Sequence, residues 1–195
     1  MADLKISQLS AATALAGTEV LPVVQSGSTK KATVDQILAP ASGKGLNFAA
    51  AGGDTLTMYD EGTWTPTITS SDNNVVVASY QFQQGTYTRI GRMVIASFKV
   101  ATADVTSIGT GEARIGGLPF AVNASVPAAG AIGYVNNFVA GFNPSSVQAV
   151  PSTSTLSMMS TNNATNSSTP ISTVNLTAGA VAFGNYIIGT ICYEV

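Results

Sequence analysis

The chain has 195 residues, enough for one substantial domain and a small module, with a formal net charge of −2. Apolar residues make up 45% but charged residues only 9%, far below the roughly 25% usual in globular proteins. With no histidine and a single cysteine, composition excludes zinc centres, an intrachain disulfide and any Ser-His or Cys-His nucleophile.

The shortage of charge is uneven. After Arg114 the next formal charge is Glu194, so Ser, Thr, Asn and Gly supply the polarity of residues 115–193. A solvated monomer exposes Lys and Glu, whereas a surface covered by identical copies needs fewer of them, so an oligomer is expected. The eight basic residues are dispersed, and no nucleic-acid partner is expected. The most apolar runs, residues 93–100 and 180–193, are too short or too interrupted for a membrane span. The start, Met1-Ala2-Asp3-Leu4-Lys5, does not read as a signal peptide. Cys192, in an apolar run, is expected to be buried core filler.

In chain order, Lys5-Ile6-Ser7-Gln8-Leu9 alternates like a short half-buried strand, and residues 10–16 are Ala-rich enough for a turn of helix before Gly17. Residues 20–25 and 29–34 flank Ser26-Gly27-Ser28, a three-residue hairpin connection, with Pro22 placing its strand at an edge. Thr33 or Asp35 caps a predicted short helix carrying Ile37 and Leu38, which Pro40 stops. A module of residues 1–40 is too small to be strongly stable alone, so docking onto something larger is expected. Residues 41–58, rich in Ala, Gly and Ser, read as a linker.

Residues 59–195 read as an antiparallel β-sandwich, jelly-roll-like in its strand spacing. Predicted strands cover residues 63–69, 75–82, 86–90, 92–102, 112–115, 131–142, 147–150, 155–160, 171–176 and 180–194. In the fourth, Val94, Ala96, Phe98 and Val100 share a core face, and Met93, Ile95, Ser97 and Lys99 share the other. Residues 160–169 are low-complexity and polar, read as a solvated loop.

No phosphate-binding loop is present, because no Lys-Ser/Thr pair follows the glycines near Gly43, Gly45, Gly52 and Gly53. Two carboxylates could in principle hydrolyse a glycosidic bond. The candidates are Asp60, Glu61, Asp72, Asp104 and Glu112, but Asp60 and Glu61 are adjacent, hence on opposite faces of a strand, and the others fall at apparent turns. The expectation is a protein without catalytic, cofactor or metal sites. Trp64, Tyr80, Phe82, Tyr87, Tyr134, Phe138, Phe142, Tyr186 and Tyr193 could stack on sugars, although core or subunit packing explains most of them.

Two resemblances follow from these segments. The opening one, Lys5-Ile6-Ser7-Gln8-Leu9 through Leu21-Pro22-Val23-Val24-Gln25 to Val34-Asp35-Gln36-Ile37-Leu38, resembles an attachment module at the N-termini of tailed-bacteriophage fibre and other virion proteins. It implies that Ile6, Leu9, Leu21, Val23, Val34, Ile37 and Leu38 support docking to the particle. The second, Tyr59-Asp60-Glu61-Gly62-Thr63-Trp64-Thr65-Pro66-Thr67, then Gly85-Thr86-Tyr87-Thr88-Arg89-Ile90-Gly91-Arg92-Met93-Val94 and Ile115-Gly116-Gly117-Leu118-Pro119-Phe120, is similar to a C-terminal β-domain of phage fibre and structural proteins. It implies a homotrimer in the virion, assembled in the host cytoplasm, with other virion proteins and a host-surface glycan or protein as partners. Tail and capsid placements both remain open: a short tail fibre or tail-tip subunit, or a head fibre or decoration protein. A glycan-degrading tailspike-like enzyme is the third alternative.

Overall fold

The computed structural model describes residues 20–33, 46–47, 55–56, 58–162 and 167–195. Two compact units are distinguished, one through Thr57 and one from Met58. Ile6, Leu9, Val34, Ile37 and Leu38, with the predicted first strand and short helix, lie outside the described residues.

In the first unit β1 (Val20–Gln25) pairs antiparallel with β2 (Ser28–Thr33). The connection is two residues rather than the expected three, because Ser28 already pairs with Gln25. Ser26 and Gly27 both have positive φ, 52° and 74°, which a type I′ turn requires. Pro22 sits opposite Lys31 in this two-stranded ribbon, where both strands are edges. Within the expected linker, β3 (Leu46–Asn47) pairs with β4 (Thr55–Leu56).

The second unit is built from β5 (Tyr59–Trp64), β6 (Thr67–Ser70), β7 (Val76–Ile90), β8 (Met93–Ser107), β9 (Ala113–Gly116), β10 (Ala129–Asn136), β11 (Ser146–Ala149), β12 (Thr155–Asn162), β13 (Ser167–Pro170) and β14 (Gly179–Glu194). They pair in the order β5-β7-β8-β14-β10-β11-β12-β9-β6, with β13 on β12, and every ladder is antiparallel. The two ends of this path, β5 and β6, are joined by only Thr65 and Pro66. The sheet must therefore curl until its ends meet, giving a sandwich-like roll in one hydrogen-bonded path rather than the two separate sheets of a jelly roll. One core fills the roll, drawing Val94, Phe98 and Val100 from β8, Ile187 and Ile191 from β14, Val147 from β11, Leu156 and Met158 from β12 and Ile115 from β9.

One row of residues across the sheet sets how closely its strands approach. Trp64, Gly85, Phe98, Gly189 and Ile132 are register partners on β5, β7, β8, β14 and β10. Large and small alternate, so each ring lies over a neighbouring glycine. A Cβ at Gly85 would stand 2.5 Å from the Trp64 indole nitrogen, and one at Gly189 would stand 2.6 Å from the Phe98 ring. Trp64 and Phe98 meet edge-on at 6.1 Å, and the indole N–H donates to the Ser97 carbonyl at 3.2 Å. Burial of rings of this size is worth about 1.5–3 kcal/mol each, and the edge contact adds about 0.5–1.5 kcal/mol.

Several expectations are corrected. Residues 171–176 form no strand: Thr173–Asn175 is a 3-10 turn whose cap, the Ser172 hydroxyl, accepts from the Val174 N–H. Buried Ile171, Thr173 and Asn175 mimic strand alternation while the backbone closes on itself through Asn175 N–H to Ser172 O and Leu176 N–H to Thr173 O. The predicted polar loop instead contains β13. The predicted strand over 63–69 divides at Pro66 into β5 and β6, and those over 75–82 and 86–90 fuse into β7, whose register shifts against β8 between Val76 and Phe82 absorb the irregularity. The strand expected over 131–142 ends at Asn136, because Asn137 takes φ 57°. Cys192 is exposed, not buried: Ile191 and Tyr193 take the inward positions on β14, leaving Cys192 opposite Ile95 on the outer face.

If the aromatic and glycine row holds the sheet together, Gly85→Ala loses about 1–3 kcal/mol of stability through overpacking against Trp64. Gly133→Ala, where nothing lies within 4 Å of the added carbon, stays within about 0.5 kcal/mol of the parent. Urea unfolding followed by the fluorescence of the single tryptophan measures both, and equal midpoints for the two variants would contradict the packing argument.

Candidate functional site

Strand alternation divides the outer face of β5, β7, β8, β14 and β10 into rows of different chemistry. The row nearest the β7–β8 turn holds Tyr59, Ile90, Met93 and Glu194, and the next holds Glu61, Thr88, Ile95 and Cys192. The third is hydroxyl-rich: Thr63, Thr86, Ser97, Thr190 and then Ala131. The fourth holds Gln84, Lys99, Ile188 and Tyr134. Ile90, Met93 and Ile95 are each about half exposed. The first two rows therefore set the exposed apolar side chains of Tyr59, Ile90, Met93 and Ile95 beside Glu61, Thr88 and Glu194, the third row is short and mostly polar, and the fourth mixes Gln84, Lys99 and Tyr134 with Ile188.

Over the third and fourth rows lies an open groove of about 870 Å³, whose lining includes Gly85, Phe98 and Gly189 from the row between them. Such a volume lies within the roughly 300–1,000 Å³ of small-molecule sites. The Thr63, Thr86 and Ser97 hydroxyls and the Gln84 amide make no hydrogen bond to other described residues, while the Thr190 hydroxyl donates to the Ala96 carbonyl at 3.2 Å. Lys99 is the groove's single formal charge. The ion pairs among the described residues join Arg92 to Glu194 and Arg114 to Glu112, and Lys99 takes part in neither. Its ammonium instead stands 3.6 Å from the centroid of Phe82 and 5.9 Å from that of Tyr186.

Phe82 and Tyr186 belong to an aromatic cluster beside the groove. Phe82 stacks on Phe183 at 5.8 Å, and Tyr134 meets Tyr186 at 4.9 Å. The cluster exists because β14 bulges, its register against β8 shifting between Ala180 and Gly184 and again before Ile187. Asn185 pins the bulge. Fully buried at φ 43°, it donates from Nδ2 to Thr102 Oγ1 (3.1 Å) and to the Thr177 carbonyl (2.9 Å), and its Oδ1 accepts from the Thr177 N–H (2.8 Å). Asn137 donates to the carbonyls of Ala182 and Phe183. Held between these two asparagines, Phe183 takes φ 57° and remains 41% exposed. For a bulky residue that conformation costs about 1–3 kcal/mol, the kind of strain that concentrates at functional positions.

The residues singled out in the β-domain segments occupy a different place. Gly62 lies under the Tyr87 ring, Tyr87 meets Phe120 edge-on at 5.3 Å, and the Arg89 guanidinium lies over Phe120 at 4.8 Å. Gly91, at φ 59°, opens the β7–β8 turn between Ile90 and Met93 and accepts from Arg89 Nε through its carbonyl. Leu118 is buried, while Pro66 accepts from Gln83 Nε2 through its carbonyl, and Pro119 connects Leu118 to Phe120. These contacts bind β5 and β7 to the 117–122 segment, as a structural seam. In the first unit, Leu21 is 49% exposed and Val23 is partly buried.

The candidate carboxylates have structural partners: Asp60 accepts from Tyr87, Glu61 from Tyr59, Asp72 from Ser71 and Thr110, and Glu112 pairs with Arg114. Asp104 lies on β8 opposite Ala180. Residue type alone did not single out Lys99, Phe183, Asn185 or Gln84. Their roles come from strand register, and the nearest signal in the sequence is the Phe183-Gly184-Asn185 interruption of an apolar run.

At the seam, the Tyr193 hydroxyl donates to the Phe120 carbonyl at 3.2 Å, and burial pushes its phenol up to about 12. In an unfolded chain a tyrosine titrates near 10, so between about pH 10 and pH 12 the native state holds a proton that the unfolded state releases. This contribution to stability is complete below about pH 10 and is lost as pH rises through 12. Thermal melts of the parent and Tyr193→Phe across that window check it: the parent's melting temperature falls more steeply, and parallel curves would contradict the assignment. Compared with protein-family models, curated proteins and solved structures, the chain matches none, so its role has to be read from its own residues.

Proposed function

We propose that the chain is a non-enzymatic structural protein of a tailed-bacteriophage particle, a short tail fibre or tail-tip subunit that assembles as a homotrimer and presents its β-domain to the host surface. The observation that carries this reading is the strip of exposed apolar side chains on the outer face, which Glu61 and Glu194 border. A lone exposed hydrophobe is ordinary, but Tyr59, Ile90, Met93 and Ile95 are neighbours on paired strands, and Met58 beside them is also exposed. Such a strip is stabilised by covering it. The absence of formal charge over residues 115–193 supports the same reading, and the ordered segments around Trp64, Tyr87 and Phe120 support the particle and the threefold state.

The short span of residues 41–58 between module and β-domain favours a second placement, because it leaves no room for a shaft. A head-fibre or decoration protein on the capsid needs none. Virions labelled with antibody to residues 60–195 separate the two, with signal at the tail expected and signal confined to the capsid supporting the alternative.

Light scattering of the full chain is expected to give the mass of a trimer, and Ile95→Glu to give monomers of unchanged circular dichroism. Cys192, in the same row as Ile95, is then slow to react with maleimide in the parent and fast in the variant. A monomeric parent, or equal labelling rates, would sink the assignment of this strip to assembly.

A further inference from the structure

We infer that the groove over the hydroxyl and Lys99 rows is a binding site for an acidic oligosaccharide, with Lys99 receiving a sugar carboxylate and the Phe183 and Tyr134 rings receiving the apolar faces of the adjoining residues. This deepens the surface-presentation reading above and rests on it for its biological sense.

Three independent observations converge on the site. The first is charge: Lys99 is the only formal charge in the groove, and its ammonium faces aromatic rings rather than a carboxylate. An aromatic face holds the cation in place but leaves its charge uncancelled, so the groove is electrostatically complementary to an anion. The second is hydrogen bonding. Thr63, Thr86, Ser97 and Gln84 turn unpaired hydroxyls and an amide into the groove, groups that both donate and accept as sugar hydroxyls do. The third stands beside the groove: Asn137 donates to the carbonyl of Phe183, which lies in the left-handed region, and the partly exposed Phe183 ring stacks on Phe82, the ring that carries the Lys99 ammonium.

The chemistry argues against the neighbouring alternatives. A nucleic acid would need several cations along its track, and the groove has one. A second copy of this chain, whose ten carboxylates all lie outside residues 115–193, is separated by the Lys99 protection test below. An open groove leaves much of its ligand solvated, so each site binds weakly and a trimer gains through simultaneous engagement of several sites.

The full-length protein, its oligomeric state checked by light scattering, is titrated by calorimetry with oligogalacturonate, hyaluronan oligosaccharide and sialyllactose, each beside its carboxyl-reduced counterpart. At least one acidic member is expected to bind with a Kd of about 1 mM or tighter, and its reduced form about tenfold more weakly. Lys99→Met is expected to cost a similar factor, as is raising the salt from about 0.05 to about 0.5 M. Phe183→Gly relieves the positive φ but removes the stacking on Phe82 and Tyr186, so it is read beside its circular dichroism: a spectrum like the parent's is expected together with a several-fold loss of affinity.

Failure of all three acidic probes to bind at about 10 mM would overturn the inference, as would equal binding by Lys99→Met. Protection of Lys99 from acetylation in the ligand-free oligomer would also overturn it, because the groove would then be a subunit contact. A trimer that binds none of the probes removes the groove and leaves the assembly role, whereas a monomer that binds one removes the assembly role and leaves the groove.

Discussion

The second unit depends on the interleaving of rings and glycines along one row of its sheet. Trp64 over Gly85 and Phe98 over Gly189 let four strands approach while two large side chains lie flat against their neighbours. Because Trp64 ends β5, with two residues between it and the start of β6, its seating also fixes where the sheet turns back to meet its other end. The curl encloses a core contributed by both halves of the path. The same row carries the groove on its far side, so the packing that stabilises the interior also forms the floor of the site.

A half-buried antiparallel sheet ordinarily pairs an apolar inner face with a charged outer one. Here the outer face of β7, β8 and β14 exposes Ile90, Met93, Ile95 and Cys192 beside Thr88 and Glu194 near the β7–β8 turn, and grades through a row of hydroxyls to a solitary lysine among aromatic rings. The proposed contact between copies would account for the first part, and the proposed sugar ligand for the second. Both uses avoid the dense, flexible charge of a solvated surface, which gives one physical reason for the low charge of the whole chain.

Alternation exposed the β8 core face plainly: Val94, Ala96, Phe98 and Val100 are all buried. The same reasoning failed at Cys192, because on β14 the outward residues Ile188 and Cys192 are as apolar as the inward Ile187 and Ile191, so period-two contrast is lost there. Residues 171–176 misled in the opposite direction, since buried Thr173 and Asn175 gave strand-like alternation to a 3-10 turn. The candidate site was illegible for a different reason. Asn185 needs Thr102 to hold its conformation, and Lys99 joins Gln84 and Ile188 only once β7, β8 and β14 are in register, relationships that no local pattern encodes. The aromatics Phe82, Tyr134 and Tyr186 were visible as types, but their assembly around a cation was not.

The central claim is that one continuous sheet face serves two ends, contact between copies at the apolar strip and ligand access at the groove. A cryo-EM reconstruction of the assembled full-length protein tests it most directly. Met93 and Ile95 should lie buried against neighbouring subunits, with Lys99 and Phe183 open to solvent. A reconstruction in which the strip is solvated and the groove is covered by a neighbouring subunit would contradict it.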